Sequence, residues 1–222
     1  MRINILQHTP SEGPGMILDW AATQDAAVTI YHPYQFGKLP TAAATDLLVI
    51  LGGPMSPNDD LPWIAQERTL IRDLFAQHTP VLGVCFGAQQ IVKVLGGTVQ
   101  QAPAKEVGWA PVYRQSTAIP RVPAQLTVLH WHEEMFTIPT GAQLLFSSDH
   151  LTNQGFVLPG QAVGLQFHLE PQAVNVREMV ANDGDYLTDS VLQQSAEQVI
   201  TTPVPAANRT ALYAILDALT TR

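Results

Sequence analysis

The 222-residue chain is 46% hydrophobic and 14% charged, a globular composition that excludes a disordered or low-complexity polymer. Its 11 Lys and Arg against 19 Asp and Glu leave a net charge of −8, which repels phosphates and argues against nucleic-acid and anionic-membrane partners. One cysteine excludes an internal disulfide and a cysteine-rich zinc site, and with no signal-peptide pattern and no 18-residue apolar run the expected location is the cytoplasm.

In chain order, Ile3–Leu6 is a short apolar run and Ala27–Tyr31 (AVTIY) a β-branched one. Leu47–Leu51 (LLVIL) runs straight into Gly52-Gly53-Pro54. The stretch Trp63–Gln77 carries Ile64, Ile71, Leu74 and Phe75 on one helical face. Val81–Val84 is a further apolar run, ending at Cys85. Phe86–Leu95 then places Ala88, Ile91, Val92 and Leu95 at helical spacing, with Gly96-Gly97 as a C-terminal stop. Short continuous apolar runs suit strands buried on both faces of a parallel sheet, and their alternation with helices predicts an α/β fold.

Residues 98–168 are rich in Val, Leu, Phe and Trp but punctuated by Pro and Gly, which predicts several short antiparallel strands. Ala162–Phe167 (AVGLQF) is the last strong strand. Beyond Pro171 the chain turns helical, with Leu212, Ile215, Leu216 and Leu219 as a stripe, Asn208 as its expected N-cap and 201–207 as a connector. The expected organisation is one domain over 1–222 with a C-terminal helical segment at 171–222.

Within Val81–Gln89, Gly83 and Gly87 flank Cys85 at −2 and +2. This is the glycine–x–nucleophile–x–glycine pattern of a tight strand-to-helix turn, where side chains two residues either side would collide. The turn lifts the sulfur above the strand ends, aims a helix N-terminus at it, and leaves the Phe86 N–H free for an oxyanion. The helix end is expected to lower the thiol pKa. A buried structural cysteine is the alternative.

A thiolate nucleophile needs a base. Of seven histidines, His168 is best placed, at the end of the AVGLQF strand, with Glu170 at i+2 on the same side. Glu170 can hold one imidazole nitrogen while the other faces Cys85, the logic of a nucleophile–base–acid triad. His130 and His132 in Leu129-His-Trp-His-Glu-Glu134 have no further ligand cluster beside them, so no metal is expected and the segment is read as a loop lining the pocket. Gly52-Gly53 at a strand's carboxyl end lets backbone N–H groups approach a ligand and supply a second oxyanion donor. No phosphate-binding glycine motif is present.

Three blocks in order, Leu51-Gly-Gly-Pro54, Gly83-Val-Cys-Phe-Gly-Ala-Gln89 and Gln166-Phe-His-Leu-Glu170, resemble class I glutamine amidotransferases over most of residues 1–170. Leu6-Gln-His, Glu12-Gly-Pro-Gly15, Lys105-Glu-Val-Gly-Trp109 and Trp131-His-Glu133 resemble the stand-alone, GMP synthase-like branch. The resemblance implies a flavodoxin-like core with a mainly parallel sheet flanked by helices and a small antiparallel section. It implies Cys85 as nucleophile on the γ-carboxamide of glutamine, His168 as proton carrier and Glu170 as its orienter. It further implies a γ-glutamyl thioester that forms and is hydrolysed, an oxyanion hole at Gly53 and Phe86, Gln89 on the substrate, and no cofactor. Leu169 stands where the family usually has proline, which is expected to loosen Glu170.

The chain shows no synthetase motif, so ammonia released here would need a separate accepting synthetase. The alternatives are a free-standing γ-glutamyl hydrolase or peptidase acting on a conjugated amine, and a non-catalytic amidotransferase-like binding protein. A ThiJ/PfpI-like enzyme shares the elbow cysteine, but the His168-x-Glu170 ending and the Gly52-Gly53-Pro54 block favour the amidotransferase.

Overall fold

A computed structural model describes residues 1–221. Nine strands form one sheet: β1 (Arg2–Leu6), β2 (Ala27–Tyr31), β3 (Leu47–Ile50), β4 (Val81–Val84), β5 (Val99–Arg114), β6 (Gln125–Phe136), β7 (Gln143–Ser147), β8 (Gly155–Leu158) and β9 (Ala162–Leu165). The helices are α1 (Met16–Thr23), α2 (Pro33–Phe36), α3 (Pro62–Ala76), α4 (Phe86–Val94), α5 (Ala173–Asp183), α6 (Ala196–Thr201) and α7 (Ala206–Thr220). No described helix is long and apolar enough to cross a membrane.

The strand order is β2-β1-β3-β4-β9-β8-β7-β5-β6. The first five are parallel neighbours, and β9 then pairs antiparallel with β8. Alternate residues serve the two faces. Ile3, Ile5, Leu47, Val49, Leu82, Val84, Val163 and Leu165 pack against Ile17 and Trp20 of α1 and Leu212, Ile215 and Leu216 of α7. Leu48, Ile50, Val81 and Ala162 pack against Leu70, Ile71 and Leu74 of α3 and Ala88, Ile91 and Val92 of α4. Both faces are covered, which is why these strands read as unbroken apolar runs.

The antiparallel part is continuous with the parallel part and holds the two longest strands, of 16 and 12 residues. Proline punctuation predicted shorter pieces. β5 runs through Pro103 because the pairing with β6 shifts register between Gln101 and Glu106, and β7 joins β5 only at Tyr113 and Arg114. A strand paired mostly on one side tolerates prolines. Val107, Trp109, Leu129 and Trp131 of this hairpin bury a third cluster against Val176 and Met179 of α5 and Val199 of α6. The expected cap of the last helix is also corrected. α7 starts after Pro205, and Asn208 lies inside its first turn, buried.

Candidate active site

The carboxyl ends of β3, β4 and β9, adjacent in the sheet, deliver Gly52-Gly53, Cys85 and the segment 166–170 to one edge. Cys85 caps α4 with φ 50° and ψ −110°, a positive-φ conformation that in a non-glycine residue costs on the order of 1–3 kcal/mol. The turn closes only with glycine on either side. A Cβ on Gly83 would lie 2.6 Å from Ala88 N, and one on Gly87 would lie 2.7 Å from the Ile50 carbonyl carbon.

The strand expected to end at Phe167 ends at Leu165. His168 is fixed instead from β6, its N–H donating to Leu129 O at 2.9 Å. His168 Nδ1 stands 2.6 Å from Glu170 Oε1, both residues buried. His168 Nε2 is buried and has no hydrogen-bond partner among the described residues. Gly52 marks how close this group is to the thiol: a Cβ there would lie 3.0 Å from His168 Cε1 and 3.3 Å from Cys85 Cβ. Leu169 does not loosen Glu170. It is fully buried in the core, and the Glu170 carbonyl accepts the Met16 N–H at 2.8 Å.

Burial resists a charge on His168, but the Glu170 carboxylate and the Cys85 sulfur more than offset it and hold the imidazole well above its usual 6.5. Burial pushes the Cys85 thiol up, and His168 and the Phe86 N–H draw it only partly back. The expected lowering by the helix end is therefore corrected: loss of water outweighs the helix terminus here.

The remaining expected residues gather around Cys85. Gly53 borders the cleft, and its N–H donates to no group among the described residues. Gln89 borders it too, and its Nε2 donates to Gln166 Oε1 at 3.3 Å, while Gln166 Nε2 donates to Cys85 Sγ at 3.7 Å. The thiol itself points to Trp131 O at 3.8 Å. The cleft, about 440 Å³, has the size of a small-molecule site. Glu12, Asp59, Glu133, Glu134 and Asp183 line it, and among the described residues no Lys or Arg does.

Sequence reasoning gave no role to several of these groups. Gln166 and Glu12 stand only inside matching blocks, and Asp183 and Tyr186 lie in a helical tail with no signature. Glu12 Oε2 fills the space beside Gly52, next to His168 and Cys85, and burial raises its pKa. His130 and His132 lie on β6 and not on a loop, and of the two only His132 touches the cleft.

Behind the cleft, His8 Nε2 meets Glu67 Oε1 at 2.8 Å and Gln90 Nε2 donates to Glu67 Oε2 at 3.0 Å, all three fully or almost fully buried. His8 Nδ1 sits 3.1 Å from Leu51 O, so this network holds the loop that carries Gly52 and Gly53. Glu67→Ala strands two buried polar groups and is expected to cost about 2–4 kcal/mol, read as a Tm loss of roughly 10 °C. Glu67→Gln, which keeps the shape, should lose less. An unchanged Tm for the alanine variant would show that the network carries no stability.

The chain is similar to known proteins over most of its length. The profile of the family described as "Glutamine amidotransferase class-I" matches residues 16–183. The glutamine amidotransferase-like protein YfeJ of Salmonella typhimurium is 29% identical over 201 residues, covering 86% of this chain and 84% of that protein. One subunit of the glutamine-hydrolyzing GMP synthase of Saccharolobus solfataricus is 30% identical over 129 residues, 56% of this chain and 67% of that one. The crystal structure of a glutamine amido transferase from Methylobacillus flagellatus superposes with a TM-score of 0.90 at 32% identity, over 98% of this chain and 93% of the other.

Proposed function

The chain belongs to the class I glutamine amidotransferase family, and from the geometry of Cys85, His168 and Glu170 we propose that it cleaves the γ-carboxamide of glutamine through a thioester on Cys85. One observation carries this reading: a buried His168–Glu170 pair at 2.6 Å with its free Nε2 beside a strained, glycine-flanked cysteine. In the proposed cycle the Cys85 proton passes to His168 Nε2 as sulfur attacks the amide carbon. The Gly53 and Phe86 N–H groups receive the oxyanion. His168 returns the proton to the leaving nitrogen, ammonia departs, and the γ-glutamyl thioester remains. Water, giving its proton to His168, attacks the thioester and releases glutamate with the thiol restored. Gln89, linked through Gln166 to the sulfur, orients the substrate.

The likeness to the GMP synthase of Saccharolobus solfataricus, whose matching part is a subunit of its own, supports a separate synthetase as the ammonia acceptor. The cleft also supports a second reading. Five carboxylates and, among the described residues, no Lys or Arg on its walls favour a γ-glutamyl conjugate whose amine bears positive charge, split by the same cysteine as a free-standing hydrolase. The deciding experiment measures glutamate release by the purified chain from glutamine and from γ-glutamyl conjugates of neutral and cationic amines. Glutamate and ammonia from glutamine support the first reading. Preference for the cationic conjugate supports the second. Release from neither, with or without a synthetase, overturns both.

A pH prediction follows. With both the thiol and the imidazolium raised, the pair holds two protons at low pH and must lose one to react. Activity is therefore expected to climb as pH rises above 6.5. Glu170→Gln removes the charge that holds the imidazolium, so the acid limb of kcat/KM should move to lower pH while the maximum drops roughly 100-fold. A limb that stays in place would show that Glu170 does not set it.

A further inference from the structure

Glu106 on β5 stands directly opposite His132 on β6, just after the register shift, and Gly108 stands opposite His130. The three side chains Glu106, His130 and His132 are 0%, 0% and 3% exposed. His130 Nδ1 and His132 Nε2 lie 3.4 Å apart, and they lie 4.0 and 3.6 Å from Glu106 Oε1 and Oε2. Hydrogen bonds among such groups run to about 2.7–3.2 Å, so the His130–His132 contact is a long one and both Glu106 contacts lie beyond that range. The 3.4 and 3.6 Å contacts match a different spacing, and the 4.0 Å one lies just outside it. A metal bound at about 2.0–2.2 Å by imidazole and carboxylate holds its ligand atoms roughly 3.3–3.6 Å apart.

The surroundings of Glu106 point the same way. Among the described residues no Lys or Arg pairs with it. Ser148 Oγ donates to Oε1 at 2.8 Å and Gln154 Nε2 to Oε2 at 2.5 Å, so neutral donors orient the carboxylate without supplying a cation. Buried charges are otherwise paired or bound to metal, and hydrogen-bonded carboxylates are common around bound ions.

We propose that Glu106, His130 and His132 hold a divalent transition metal of the zinc type as a structural ion. Two imidazoles and a carboxylate are a zinc ligand set. Gln154 Oε1, buried without a partner beside this carboxylate, or a water completes the shell. The ion takes no part in the chemistry at Cys85. It fixes the stretch of β6 on which the candidate active site leans: Leu129 O receives the His168 N–H, and Trp131 O, between the two histidine ligands, receives the Cys85 thiol. Losing it would loosen the base and the nucleophile together.

The test uses the whole chain, stripped with EDTA and titrated with Co²⁺ alone. Expected is a visible d–d band of a four-coordinate site, saturating at one equivalent and displaced by Zn²⁺, with a Tm that rises on adding Zn²⁺. The same titration in Cys85→Ala excludes the thiol as the binding group and should leave the band in place. Glu106→Gln keeps the shape and should weaken Co²⁺ binding by at least about 100-fold, more than loss of an outer-shell partner costs. Should that variant fail to fold, the wild-type titration decides. No band and no Zn²⁺-dependent Tm in the wild type, a band lost in Cys85→Ala, or a folded Glu106→Gln that binds as tightly as wild type would each overturn the assignment.

Discussion

Cys85→Ala is expected to lower amide hydrolysis by about 10⁴-fold or more while the protein stays folded. The reason is chemical. If Cys85 is the nucleophile, alanine cannot form the covalent intermediate, and the oxyanion donors alone leave only a small residue of rate. The structural cost is modest: one sulfur is lost from a residue already bordering a cleft, worth on the order of 1 kcal/mol or a Tm shift of a few degrees. Steady-state release of glutamate, with circular dichroism as the fold control, makes the comparison. Mass spectrometry adds a second channel, since wild type should carry a trapped γ-glutamyl adduct on Cys85 and the variant none. Activity within tenfold of wild type would remove Cys85 from the mechanism.

Gly87→Ala should have a large effect on stability, about 3 kcal/mol or more, read as a Tm loss of roughly 6–12 °C. The added methyl would fall inside contact distance of the Ile50 carbonyl, 2.7 Å from its carbon and 2.8 Å from Ile50 Cβ. Ile50 closes β3, whose backbone is tied to β1 on one side and β4 on the other, so it cannot step back. The start of α4 must move instead, taking the Cys85 turn with it. Gly96→Ala is the informative contrast. Gly96 has φ 79° with nothing within 4 Å of the added carbon, so only backbone strain of about 1 kcal/mol is at stake. Equal losses for both variants would mean that close packing at the elbow is not what demands Gly87.

The parts of this fold legible in sequence are those where burial and local spacing give the same instruction. β3 and β4 are apolar on both faces, α4 repeats its apolar face at helical spacing, and glycines at fixed offsets around Cys85 announce the turn. His168 and Glu170 are two residues apart, so their contact is written locally. The antiparallel half was less legible because its prolines look like breaks until the register of β5 on β6 is known. Glu106 shows the same limit: it precedes His130 by 24 residues (130 − 106), and only the register brings them together. The thiol misled for another reason. A helix terminus is visible in sequence, whereas the depth at which it is buried is not.

The seam between β4 and β9 has a consequence for how the molecule is made. Val81 pairs with Ala162, a separation of 81 residues (162 − 81), and everything from α4 to β8 lies between them in the chain. The hairpin of β5 and β6 closes over a short connection and can form early, whereas the β4–β9 seam closes a long loop and is entropically late. Cys85 hangs from one lip of that seam and His168 from the other. A slip of β9 by one residue would carry His168 about 3.3 Å along the strand and turn its neighbours to the opposite face. The candidate active site therefore does not exist in any partly folded chain, and a newly synthesised molecule brings Cys85 and His168 together only with the closing of its longest-range register.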